Sequence, residues 1–139
     1  VDPISGGRMM AQGVAVSALQ QIGPPFRLHG RVPGVAVDCV GLVAHCLSRN
    51  AISCTPPTDY TLRGQYRERL ERFFNSAGFT LVDVHNPCDG DIALACIFDR
   101  QFHLLIRASN GWVHAHAGLR RVVHTPDPIG WPLLALWRL

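Results

Sequence analysis

An α+β fold, with helices packed on an antiparallel sheet, is what this sequence predicts, and three observations carry the expectation. Up to Gly78 the apolar residues recur at helical spacing between Gly- and Pro-rich loops. Beyond Gly78 the chain turns into short runs of branched and aromatic residues separated by turn signals. Helices first and strands afterwards define the α+β class, and no repeat or low-complexity segment interrupts the order.

The first helix is expected over "MMAQGVAVSALQQI", residues 9–22, despite Gly13. Residues 1–10 read as an N-terminal tail or cloning remnant ahead of Met9 or Met10, which leaves 11–139 as a single domain. "GPPFRLHGRVPGVAV" is dense in Gly and Pro and reads as an extended loop. A second helix is expected to start near Cys39 and run to about Arg49, with Asp38 suited to its cap. After the loop "CTPPTDYTLRG", residues 64–78 read as a third helix. Its Arg and Glu residues form a solvated face, and Tyr66, Leu70, Phe73 and Phe74 an apolar one, with Gly78 ending it. Six strands follow in "FTLVDV", "DIALACIF", "FHLLIRA", "GWVHAHA", "LRRVV" and "LLALWRL". Asn110-Gly111 is a hairpin signal between the third and the fourth.

The chain has 139 residues, the size of one ordinary domain, which buries roughly two-thirds of the surface its unfolded form exposes. With 47% apolar and 17% charged residues it is not a disordered composition. The formal charge of +3 is small and scattered, which argues against nucleic acid as a partner. No apolar run reaches the ~18–20 residues of a membrane span, and the opening lacks the order of a signal peptide, which suggests cytoplasmic synthesis. Cys39, Cys46, Cys54, Cys88 and Cys96 are odd in number and form no CxxC clip, so a disulfide framework is not expected.

Chemistry is sought first at Cys39. A helix start carries unpaired N–H groups and the positive end of the helix dipole, which favour a thiolate and could receive an oxyanion. An isolated cysteine in an apolar segment is more often a small buried residue, so a partner is needed. A cysteine nucleophile requires a histidine base, and the base an orienting group. His103 heads one strand, while His114 and His116 share one face of the next. If Asn110 and Gly111 form the turn, Leu105 faces His116, which comes diagonally nearer His103. If Ser109 and Asn110 form it, Leu105 faces His114. Cys46, Cys54, Cys88 and Cys96 are expected to be inert, and His45, His85 and His124 to be scaffold. A zinc site from Cys39, His103, His114 and His116 is chemically conceivable, but no paired-cysteine spacing supports it.

"IGPPFRLHG", "DCVGLV", "CDGDIALA" and "HLLIRASNGWVHA" follow the segment order of the NlpC/P60 cysteine peptidases, and the chain resembles that family over about residues 11–125. Its ending, "PIGWPLLALWRL", and its size look most like the subgroup of phage tails and gene-transfer particles. The resemblance implies a papain-like catalytic domain over 11–139, in which Cys39 attacks a peptide carbonyl, His103 moves the proton and His114 orients His103. It implies peptidoglycan stem peptides as substrate, Asp38, Phe26 and His29 around the cleft, and no metal or cofactor. It further implies passage into a virion or tail particle that acts on the periplasmic cell wall, with particle subunits as partners. Three features depart from the family: Val40 stands where Ser is usual, Phe26 where Tyr is usual, and the interval between the two histidines is one residue short. Phe26 and Val40 motivate the alternative of a particle component with a degenerate, non-catalytic cleft. Acyl transfer to an amine is open to the same thioester chemistry.

Overall fold

The computed structural model describes residues 3–22, 35–52, 66–96, 102–116 and 121–139. Three helices come first, α1 (Pro3–Gln20), α2 (Val35–Ser48) and α3 (Tyr66–Ser76). Six strands follow: β1 (Thr80–Val82), β2 (Ile92–Cys96), β3 (Phe102–Ala108), β4 (Gly111–His116), β5 (Arg121–Pro126) and β6 (Leu133–Arg138). The strands form one antiparallel sheet in the order β1-β6-β2-β3-β4-β5. The α+β expectation is met, strand for strand. None of the described helices is long and apolar enough to cross a membrane.

Two helix starts differ from the sequence reading. Residues 3–8, read above as part of a tail, belong to α1. Pro3 suits a first helical position, because the N–H it lacks would have no partner there. The other difference matters more: α2 begins at Val35, four residues before Cys39. Gly34 is the last breaker in the sequence before it, and Val35, Ala36 and Val37 continue the apolar run without opposing a helix. Asp38 is therefore inside the first turn of the helix and is not its cap.

Alternation along the strands divides the core into two layers. Ile92, Leu94, Leu104, Ile106, Val113, Ala135 and Trp137 face the helices and join Val14, Ala18, Leu42, Leu47, Leu70 and Phe74 in the larger layer. Ala93, Ala95, Leu105, Trp112 and Leu136 face the other way, under Val82, Val84, Ile129, Trp131 and Leu133. A sheet covered on both faces explains why its strands read as continuous apolar runs. Phe74 of α3 stacks on Trp137, with ring centroids 4.6 Å apart, and fixes the helix over β6.

Two charged pairs tie the sheet to its loops. Asp91, fully buried at the head of β2, accepts hydrogen bonds from Arg138 Nε and Nη2 at 3.0 and 2.9 Å and from the Cys88 N–H at 2.7 Å. Arg107 donates to both oxygens of Asp127, at 2.9 and 2.7 Å, and its guanidinium lies 5.1 Å from the centre of the Trp112 ring. That second pair holds the segment before β6 against the β3–β4 hairpin.

Candidate active site

The hairpin turn decides which histidines meet. Ser109 and Asn110 both adopt positive φ, 52° and 56°, as the central residues of a type I′ turn do. The ladder then pairs Ala108 with Gly111, Arg107 with Trp112 and Ile106 with Val113. Of the two turns the sequence allows, the structure takes Ser109–Asn110, and Gly111 is the first residue of β4. Gly111 has a reason to be there: a Cβ would stand 2.5 Å from the Thr125 carbonyl oxygen and 2.7 Å from the His124 ring, so only glycine lets β5 close in.

This register brings His103 and His114 together. Nε2 of His103 lies 3.1 Å from Nδ1 of His114, with the two rings nearly perpendicular at 88°. His116 shares the face of His114, at 6.5 Å between ring centres, but it is exposed at the end of β4. Burial and geometry thus make His114, rather than His116, the hydrogen-bonded neighbour of His103.

Both imidazoles are deeply buried, and both have their pKa lowered to about 4. Burial is the largest cause in each. For His103 the charge of His116 adds to it; for His114 the charges of His103, His116 and His124 do. Both rings are therefore neutral at neutral pH. His114 Nε2 continues the contact to Thr125 Oγ1 at 2.8 Å. His103 Nδ1 is buried and has no hydrogen-bond partner among the described residues. A neutral imidazole with one buried, unpartnered nitrogen can take a proton from a group brought against that nitrogen.

The walls of this pair include a residue the sequence did not single out. Trp131 meets both rings edge to face, at 6.1 Å from His103 and 5.4 Å from His114. Thr125 was likewise missed, since its approach depends on the β4–β5 register. That ladder pairs Trp112 with Thr125 and His114 with Val123, so Thr125 is diagonal to His114 on one face. A Gly-Trp-Pro run before the last strand is the only signal in the sequence for Trp131.

Cys39 is placed differently from the imidazoles. It is 1% exposed and belongs to the helix-side layer, among residues such as Leu42, Leu104 and Ile106. His103 and His114 belong by alternation to the opposite face, with Trp112 and Trp131. α2 packs on β3 and β4, the two strands that carry the imidazoles. As the fifth residue of its helix, Cys39 is beyond the four unpaired N–H groups and past the turn where the dipole is strongest. The expected helix-start environment is thus displaced onto residues 35–37. Cys46, seven residues on, is fully buried, and burial pushes its thiol up to about 12, so it is inert. No disulfide joins Cys39, Cys46, Cys88 and Cys96. Phe26, His29 and Cys54 lie outside the described residues, as does the side chain of Asp38.

No family model matches the sequence, and no curated protein does. Among solved structures the chain is similar to NlpC1 from Trichomonas vaginalis, with a TM-score of 0.61 and 19% sequence identity. The match covers 93% of this chain and 45% of that one, so the chain spans less than half of that protein's length. At this identity the likeness is one of fold: three helices and a six-stranded antiparallel sheet, arranged as in an NlpC/P60 protein.

Proposed function

We propose that this protein is a cysteine peptidase that hydrolyses stem peptides of bacterial peptidoglycan through Cys39, His103 and His114. The observation that carries the proposal is the imidazole pair, in which His103 is held through Nε2 and left with a buried, unpartnered Nδ1. The fold shared with an NlpC/P60 protein, together with the resemblance of the sequence segments to that family, supports peptidoglycan peptides as the substrate class.

In the proposed reaction, for which Cys39 must turn from the helix-side layer toward the imidazole pair, its thiol gives its proton to His103 Nδ1 as Sγ bonds to the peptide carbonyl carbon. The carbonyl electrons move onto oxygen. When they return, the C–N bond breaks, and the imidazolium hands its proton to the leaving amine. Water, deprotonated by Nδ1, then attacks the thioester and releases Cys39. Burial holds His103 neutral at rest, so the imidazole becomes charged only as it takes a proton during attack. His114 keeps His103 oriented throughout. Asp38, Phe26 and His29 are proposed to border the substrate. Synthesis in the cytoplasm and delivery on a phage-tail or gene-transfer particle complete the proposal; the size of the chain and its C-terminal segment support the particle. Digestion of purified peptidoglycan by wild type and Cys39→Ala, with mass analysis of the fragments, tests it; products formed equally by both proteins overturn it.

A second reading has its own observation. Cys39 is 1% exposed inside the helix-side layer, as an inert thiol would be, and Val40 beside it removes a hydroxyl usual in the family. On that reading the chain is a particle component with a degenerate cleft. Alkylation near neutral pH separates the two. A nucleophile at Cys39 reacts much faster than the other cysteines, whereas an inert one lets the exposed Cys88 react first.

A further inference from the structure

We infer that Thr125 is a positioning residue for the imidazole pair: its hydroxyl accepts a hydrogen bond from His114 Nε2, and this fixes the tautomers of both rings so that His103 keeps a bare nitrogen at Nδ1.

The two neutral rings carry two protons over four nitrogens, and the contacts exclude most ways of placing them. His103 Nε2 and His114 Nδ1 are 3.1 Å apart, so one must be protonated and the other bare. Two lone pairs, or two N–H groups, cannot face each other at that distance. Only two arrangements remain. In one, both rings are protonated at Nε2: His103 donates to His114, and His114 donates to Thr125 Oγ1 at 2.8 Å. In the other, both are protonated at Nδ1 and the threonine hydroxyl donates to His114. That second arrangement leaves the His103 Nδ1 proton buried without an acceptor among the described residues, and orphaned buried N–H groups are rarer than under-satisfied acceptors. The first arrangement therefore holds.

Thr125 suits this task because of where it is anchored. It is on β5, paired in the ladder with Trp112, so its approach to His114 is set by strand register. Its β-branch limits χ1 and keeps Oγ1 in place. A proton placed on Thr125's side of His114 thereby determines, two hydrogen bonds away, which nitrogen of His103 is free to act as a base.

The catalytic part of this inference rests on the cysteine-peptidase reading, whereas the protonation pattern does not, so one experiment can separate them. Long-range 1H–15N correlation spectra of the ¹⁵N-labelled chain at neutral pH report the tautomer of each ring directly, with assignments from single histidine variants. Both His103 and His114 are expected to be protonated at Nε2 in wild type and in Thr125→Ser. In Thr125→Val, His114 is expected to lose its single tautomer, with kcat falling about five- to tenfold at unchanged KM, the size of one lost hydrogen bond. Thr125→Ser should restore both. A wild-type spectrum with His114 protonated at Nδ1 overturns the inference, as does an unchanged tautomer in Thr125→Val. The wild-type spectrum decides the matter even if the valine variant does not fold. The expected tautomers in a protein that hydrolyses nothing would support the inference and sink only the peptidase reading.

Discussion

His103 Nε2 lies 3.1 Å from His114 Nδ1 because Ser109 and Asn110, and not Asn110 and Gly111, turn the hairpin. Turning at Asn110–Gly111 instead would bring Arg107 opposite His114 and carry His114 two residues further along the ladder from His103. The pairing of two imidazoles is thus set by the backbone of a turn that touches neither.

From that pairing follows the most direct test of the third residue. His114→Ala should lower kcat by at least about tenfold, equivalent to about 1.4 kcal/mol of transition-state stabilisation, with KM little changed. His114→Asn or His114→Gln should recover part of the loss, since an amide oxygen still accepts the His103 N–H. His116→Ala should leave kcat nearly unaltered. It should also move the acid limb of the rate profile slightly upward, because the charge of His116 is one cause of the low His103 pKa. Loss of turnover in the His116 variant alone would reverse the assignment.

Cys39→Ser keeps a side chain of nearly the same shape in the helix-side layer, so the fold should be kept at a cost of about 1–3 kcal/mol for burying the hydroxyl. Hydrolysis should fall by at least on the order of 10³-fold, because a hydroxyl with a neutral imidazole is a far poorer nucleophile than a thiol. Steady-state kinetics on a peptidoglycan-derived peptide, with circular dichroism as the folding control, gives the answer. Full activity would end the cysteine-peptidase reading.

Two glycines with almost the same φ should respond very differently to alanine. Gly78 has φ +95° and open space around it, so Gly78→Ala should cost about 1–2 kcal/mol, the penalty of the backbone conformation alone. Gly90 has φ +90°, and a Cβ there would overlap the Ala11 backbone of α1. Gly90→Ala must move a helix as well, and should cost more than about 3 kcal/mol. Urea titration of the two variants measures both values, and equal losses would refute the close approach of α1.

Much of this fold is legible in the sequence because burial on both faces of the sheet makes each strand an apolar run. What failed to show were relationships that depend on register or on residues without a strong local signature. Asp38 resembles a cap, but Val35–Val37 offer no barrier to a helix, so α2 starts earlier. Asn110-Gly111 is the stronger turn dipeptide on propensity, yet the space between Gly111 and Thr125 demands glycine in the strand. His103 and His114 were legible as a hairpin pair. Thr125 and Trp131 were not, since one depends on the β4–β5 ladder and the other on a loop held by Arg107 and Asp127.

The buried imidazoles also make stability depend on pH, with a definite sign. Each has a folded-state pKa of about 4, against about 6.5 in the unfolded chain. Between those values the unfolded state binds more protons, so stability falls as pH falls. The contribution is fully present above about pH 6.5 and is lost as acid takes the solution toward pH 4. For one isolated group the shift corresponds to about 3 kcal/mol; the two rings are coupled and do not add fully. Urea midpoints measured from pH 7 to pH 4.5 should therefore drop steeply for wild type. In His103→Gln the drop should be shallower, because one buried titrating ring is gone. His116→Ala, which changes only an exposed ring, should retain most of the slope. A wild-type midpoint that stays flat across this range would mean that His103 and His114 titrate as solvated histidines do, and that the buried pair is not the resting state of the protein.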